Sequence, residues 1–118
     1  MPAKNVNYLK KILKFYGFQT VGSPRYSTRQ GVSMVEETFL NSAAAEDSET
    51  AFSLTYEEDN AVSFAKMLAG HTSRSKDIAA HYKAADSAQQ KTLQQLEAAS
   101  EAVTAACEGR PFLVPNSK

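Results

Sequence analysis

A single cysteine, Cys107, is present among the 118 residues. No disulfide can form within the chain, and a cytoplasmic or other reducing intracellular compartment is expected. The apolar runs are only a few residues long, against the roughly 20 that a membrane-spanning helix needs. No hydrophobic stretch of the kind a secretory signal carries follows the N-terminal lysines. Glycine-rich phosphate loops, a His-Glu-x-x-His zinc helix, a nucleophile elbow and internal repeats are all missing. The expectation is therefore a non-enzyme with no cofactor and no metal.

What is present is ordinary in amount and uneven in placement. Forty-two per cent of residues are hydrophobic and 22% charged, a balance typical of one folded domain spanning 1–118. The formal net charge is zero, but it hides two blocks. Lys4, Lys10, Lys11, Lys14, Arg25 and Arg29 occupy residues 1–35 with no acid. Glu36, Glu37, Glu46, Asp47, Glu49, Glu57, Glu58 and Asp59 occupy residues 36–59 with no base. Such segregation creates local fields of opposite sign, or lets the two blocks neutralise each other across the fold. Tyr8, Phe15, Tyr16, Phe18, Tyr26, Phe39, Phe52, Tyr56 and Phe64 precede residue 65, and only Tyr82 and Phe112 follow. The densest packing is thus expected in the first half.

Val6, Leu9, Ile12, Leu13 and Tyr16 recur at helical spacing, predicting a helix over Asn5–Tyr16 that stops at Gly17. Phe18–Val21 reads as a short strand ended by Gly22-Ser23-Pro24. Arg25 to Gln30 then forms an exposed basic loop. Ser33 and Glu36 have capping-box spacing, and with Val35, Phe39 and Leu40 they predict a second helix. Residues 41–50 read as an acidic linker or loop. Phe52, Leu54 and Tyr56 alternate as in a strand.

Asp59 or Asn60 caps a third helix, with Ala61, Phe64, Ala65 and Leu68 on its buried side and Gly70 at its end. A long C-terminal helix, residues 73–108, follows. Ile78, Tyr82, Leu96 and Val103, broadened by Leu93, are the large residues of its otherwise alanine- and glutamine-rich seam. At ~1.5 Å per residue it would extend roughly 50 Å, so it must break near Asp86-Ser87 or project to a partner. Phe112-Leu113-Val114 is expected to fold back on the core.

The expected fold class is mainly α: a small single domain of three short helices plus one long C-terminal helix, with a minor two-stranded element pairing Phe18–Val21 with Phe52–Tyr56. Asp77 and His81 share a helix face with His71 upstream, but two histidines without a second cysteine make a poor zinc set. Cys107 lacks a nearby base in sequence and reads as packing. Glu57-Glu58-Asp59 is explained by the dipole of the helix it precedes. Hydroxyls in Ser23–Thr28 offer a weak phosphorylation motif.

The function these features favour is a protein-protein interaction module: an adaptor, linker, assembly factor or inhibitor docking on a larger complex by charge and helix-face complementarity. Its contact residues would be Lys10, Lys11, Lys14, Arg25, Tyr26, Arg29, Tyr82, Leu93, Leu96 and Val103, with a homodimer through the long helix as a variant. The alternative is a small nucleic-acid-binding protein using the basic aromatic N-terminal segment. The same segment could also lie on an anionic membrane surface.

Overall fold

The computed structural model describes residues 5–41, 51–82 and 87–111, apart from the side chains of 81, 82 and 87–89. The expected linker at 42–50 and the apolar tail at 112–114 lie outside those residues. Helix α1 (Val6–Phe15) opens at Asn5, whose Oδ1 accepts the Asn7 amide at 2.8 Å. This satisfies one of the amides that the first turn leaves free. Val6, Leu9, Ile12 and Leu13 form its buried stripe.

The chain then builds three antiparallel strands in the order β1-β2-β3: β1 (Phe18–Arg29), β2 (Val32–Asn41) and β3 (Ala51–Glu57). Gln30 and Gly31, with φ of 53° and 80°, make the two-residue turn between β1 and β2. Positive φ at both positions is the twist that matches a tight hairpin, and glycine takes it without a Cβ penalty.

This sheet corrects the expected mainly-α class: the protein is an α+β domain of three helices and a three-stranded antiparallel sheet. Residues 33–40 are a strand. Val35, Glu37, Phe39 and Asn41 turn inward and are buried, while Met34, Glu36, Thr38 and Leu40 lie on the other face. The Ser33/Glu36 spacing is a local signal. It is overridden because β2 is central, with ladders on both sides and β-branched Val32, Val35 and Thr38 suited to a pleated surface. The expected loop at Arg25–Gln30 is mostly strand, paired from Arg25 to Arg29 with β2. The expected two-stranded element is also corrected: Phe18–Val21 and Phe52–Tyr56 both pair with β2, not with each other.

Helix α2 (Ala61–Tyr82) is capped by Asn60, whose Oδ1 accepts the Ser63 amide at 3.0 Å. Ser63 Oγ in turn accepts the Glu57 amide at 3.0 Å, tying strand end to helix start. Gly70 does not end this helix, which continues for three more turns. Helix α3 (Ser87–Glu108) packs antiparallel to α2, with Lys76 Nζ 3.2 Å from Glu97 Oε1. The single helix expected over 73–108 is divided between the last ten residues of α2, 73–82, and the whole of α3. A straight rod of that span would exceed the molecule's longest extent of 41 Å. Doubling back lets the thin alanine face of α3 close on the core.

All three helices cover one face of the sheet. Phe39, fully buried, has ring centroids 5.5 Å from Phe52 and 6.1 Å from Phe64. Tyr56 meets Phe64 edge-on at 5.0 Å. Leu96, Ala99, Ala102 and Val103 of α3 and Leu9 and Ile12 of α1 complete the core. Asn41, buried at the end of β2, donates to Thr92 Oγ1 at 3.1 Å and Gln95 Oε1 at 3.2 Å, locking α3 to the sheet.

Candidate binding surface

The basic residues of the N-terminal segment have separate fates. Lys10 lies on the flank of α1 that meets the sheet, and its ammonium sits 3.0 and 3.2 Å from the two carboxylate oxygens of Glu37. Glu37 is an inward residue of β2, only 7% exposed. Tyr56 of β3 donates its hydroxyl to the same carboxylate. Burial pushes the Tyr56 phenol well above its ordinary range, and the Glu37 hydrogen bond and charge push it further. Tyr56 therefore stays protonated and keeps donating. The trio joins α1, β2 and β3, and it neutralises one member of each charge block.

Beside it lies a recess of about 130 Å³ bordered by Val6, Lys10, Pro24, Tyr26, Glu58 and Asp59. That is smaller than the ~300 Å³ at which pockets for ordinary organic ligands begin. With both Glu37 oxygens engaged, the trio serves as a strut. Sequence reasoning did not single out Glu37 or Tyr56. Glu37 lies between Val35 and Phe39 at strand period, so its burial follows only once this segment is known to be a strand.

Lys11 and Lys14 are exposed on α1, beside the exposed rings of Tyr8 and Phe15. Arg25, Tyr26 and Arg29 belong to the distal half of β1. Past Phe18, all eleven residues of this strand are exposed. The cause is topological: β1 is an edge strand, and past Phe18 none of its residues enters the core cluster. Between Val21 and Arg25 the register slips, so that Gly22, Ser23 and Pro24 stand against Glu37 alone. Gly22, with φ of 72°, meets the positive backbone angle there. Arg25 then lies across from Glu36, Tyr26 from Val35 and Arg29 from Val32. Tyr26 is 67% exposed. Arg25, Ser27 and Arg29 thus share the open face of the sheet, while Tyr26 and Thr28 point to the helix-bearing side.

The sequence-predicted helix residues are placed differently. Leu96 and Val103 are buried in this chain's own core, and Leu93 is half-buried. The Tyr82 side chain lies outside the described residues. Two of the large seam residues are therefore used internally and offer no outward face.

Among the described residues no three of His, Cys, Asp or Glu gather in a way that could hold a metal ion. His71 stacks on Phe52 with ring centroids 4.4 Å apart. Burial, then the charge of Arg74, lowers its pKa below 6.5. Burial and the neighbouring Glu108 raise the Cys107 thiol, away from the thiolate a nucleophile needs. No described helix is long and apolar enough to cross a membrane. Compared with protein-family models, curated proteins and solved structures, the chain matches none of them significantly.

Proposed function

We propose that this protein is a non-enzymatic protein-binding module, an adaptor, assembly factor or inhibitor, that meets its partner through the distal half of the β1–β2 hairpin. One observation carries the reading: eleven consecutive residues of a strand, Gln19 to Arg29, are exposed. Exposed edge-strand backbone is a template for another chain; the bulge at residues 22–24 and Pro24 interrupt it here, so the regular stretch it leaves is Arg25–Arg29. Tyr and Arg are also the residue types that contribute most at protein interfaces, and Tyr26, Arg25 and Arg29 are gathered here. The α3 seam contributes little to such a surface, because Leu96 and Val103 are buried.

Selection of a random peptide library on the immobilised full chain tests this reading. Enriched peptides are expected to lose binding to an Arg25→Ser/Tyr26→Ser/Arg29→Ser variant whose circular dichroism and melting are unchanged. Failure to enrich any peptide, or equal binding to that variant, refutes it. The nucleic-acid alternative is weakened by two placements. Lys10 is paired with Glu37, and Arg25 shares its sheet face with Glu36 and Glu57. A labelled single strand that shifts at low salt, and loses the shift as salt rises, would revive it.

A further inference from the structure

We infer that the free edge of β1 accepts an extended acidic peptide segment as a fourth strand, paired along Arg25–Arg29. This inference rests on the protein-binding reading and adds the partner's conformation and charge.

The backbone phase of the hairpin identifies the groups that would bond. A two-residue turn of this kind makes its flanking residues, Arg29 and Val32, a hydrogen-bonded pair, and such pairs alternate along an antiparallel ladder. Arg29, Ser27 and Arg25 therefore direct their amide and carbonyl groups at β2. Tyr26 and Thr28 direct theirs away from it, to the free side. The partner strand shows the same phase: the carbonyl of Ser33, which stands across from Thr28, turns outward from β1 and accepts the Glu58 amide at 2.9 Å. β1 is an outer strand of the sheet, and no described strand lies beyond it. Tyr26 and Thr28 thus offer two amides and two carbonyls, enough to seat a short strand.

Charge decides what occupies the edge. Arg25 and Arg29 lie four residues apart on one face; Glu36 stands across from Arg25 on the β2 side, Arg29 stands across from Val32, and β1 itself contains no acid. A second copy of this chain fits poorly. Antiparallel self-pairing with Tyr26 against the partner's Thr28 sets Arg25 directly across from the partner's Arg29, twice. Centring the pair on Tyr26 brings Pro24, which has no amide proton, into a bonding position. Centring it on Thr28 still crowds four arginines onto one short face. Like charges across a ladder repel, and opposite charges attract. A strand with carboxylates four apart sets one beside each arginine on the side away from β2, and its alternate residues fall beside the exposed Tyr26 ring.

The probe is a capped peptide, Thr-Glu-Val-Thr-Val-Glu-Thr, titrated into the isotope-labelled full chain and followed by amide shifts and exchange. The expected result is saturable binding, with the Tyr26 and Thr28 amides shifted and their exchange slowed about tenfold or more. Exchanging its glutamates for lysines, methylating alternate peptide amides, or using an Arg25→Ser/Arg29→Ser protein should each weaken binding about tenfold. The inference is overturned by no binding at about 1 mM. It is also overturned by equal binding of the lysine or methylated peptides, or by protection located away from Tyr26 and Thr28. If the library yields ligands that depend on the hairpin while this peptide fails, strand addition falls and the protein-binding reading stands.

Discussion

Replacing Lys10 by methionine removes an ammonium group and keeps a flexible side chain of similar length, so the loss reads out the ion pair with Glu37 and little else. Glu37 retains 8% side-chain exposure and Lys10 27%. Breaking a buried pair by deleting one partner costs about 3–5 kcal/mol, because a charge is left without compensation. Lys10 is partly hydrated, and the Tyr56 hydrogen bond to Glu37 survives the substitution. The expected loss is therefore about 2–3 kcal/mol, at or below the lower end of that range.

A variant series separates charge from packing. Lys10→Met with Glu37→Leu removes the stranded charge but leaves the Tyr56 hydroxyl without its acceptor, a cost of about 1–3 kcal/mol. Adding Tyr56→Phe removes that orphan, and the triple variant should return to within about 1 kcal/mol of the parent. Urea unfolding followed by circular dichroism measures each value, with an unchanged slope confirming a common native state. A single Lys10→Met variant that loses less than about 0.5 kcal/mol refutes the strut. So does a triple variant as unstable as the single one.

Three further outcomes are expected. Phe39→Ala, which empties the centre of the aromatic cluster, should cost about 3–5 kcal/mol in the same urea assay. Asn60→Ala removes the cap of α2 and should cost about 1 kcal/mol, with Asn60→Gly losing only a few tenths. His71 has a folded pKa below its ordinary 6.5, so the unfolded chain binds the proton more readily. Its contribution is complete above the unfolded pKa and is lost as pH falls through the folded one. Melting temperatures of wild type and His71→Phe, measured from pH 7.5 to 5, should diverge in slope on the acid side. Parallel curves would show that His71 is not the group responsible.

Helices whose apolar stripe was local and long enough could be read from sequence. Val6, Leu9, Ile12 and Leu13 define α1, and Asn60 with Ala61, Phe64, Ala65 and Leu68 defines the start of α2. The sheet was harder for two reasons. In β2 the acidic Glu37 occupies an inward position, which breaks the apolar alternation that normally marks a strand. Its partner Lys10 is 27 residues away, so nothing nearby explains a buried carboxylate. In the distal half of β1 no residue is buried. With no core-facing periodicity to detect, Arg25–Arg29 resembled a loop, and only pairing with β2 makes it a strand. That same lack of burial is the observation on which the proposed binding surface rests. The arginines and Tyr26 are legible in the sequence as chemistry, while the edge that arranges them is not. The division of residues 73–108 between two helices is half legible, since a rod of that span is too long for the domain.

The hydrogen bonds from Asn41 to Thr92 and Gln95 span 51 and 54 residues of chain. They have a consequence in time. A ribosome adding about 5–20 residues per second finishes β2 several seconds before it delivers the α3 residues that cover it. During that interval the core-facing side of the nascent sheet lacks its last wall, and its outer edge is open as well. A stage of synthesis thus exposes apolar surface that the finished fold buries, and a stop placed before α3 would make that stage permanent.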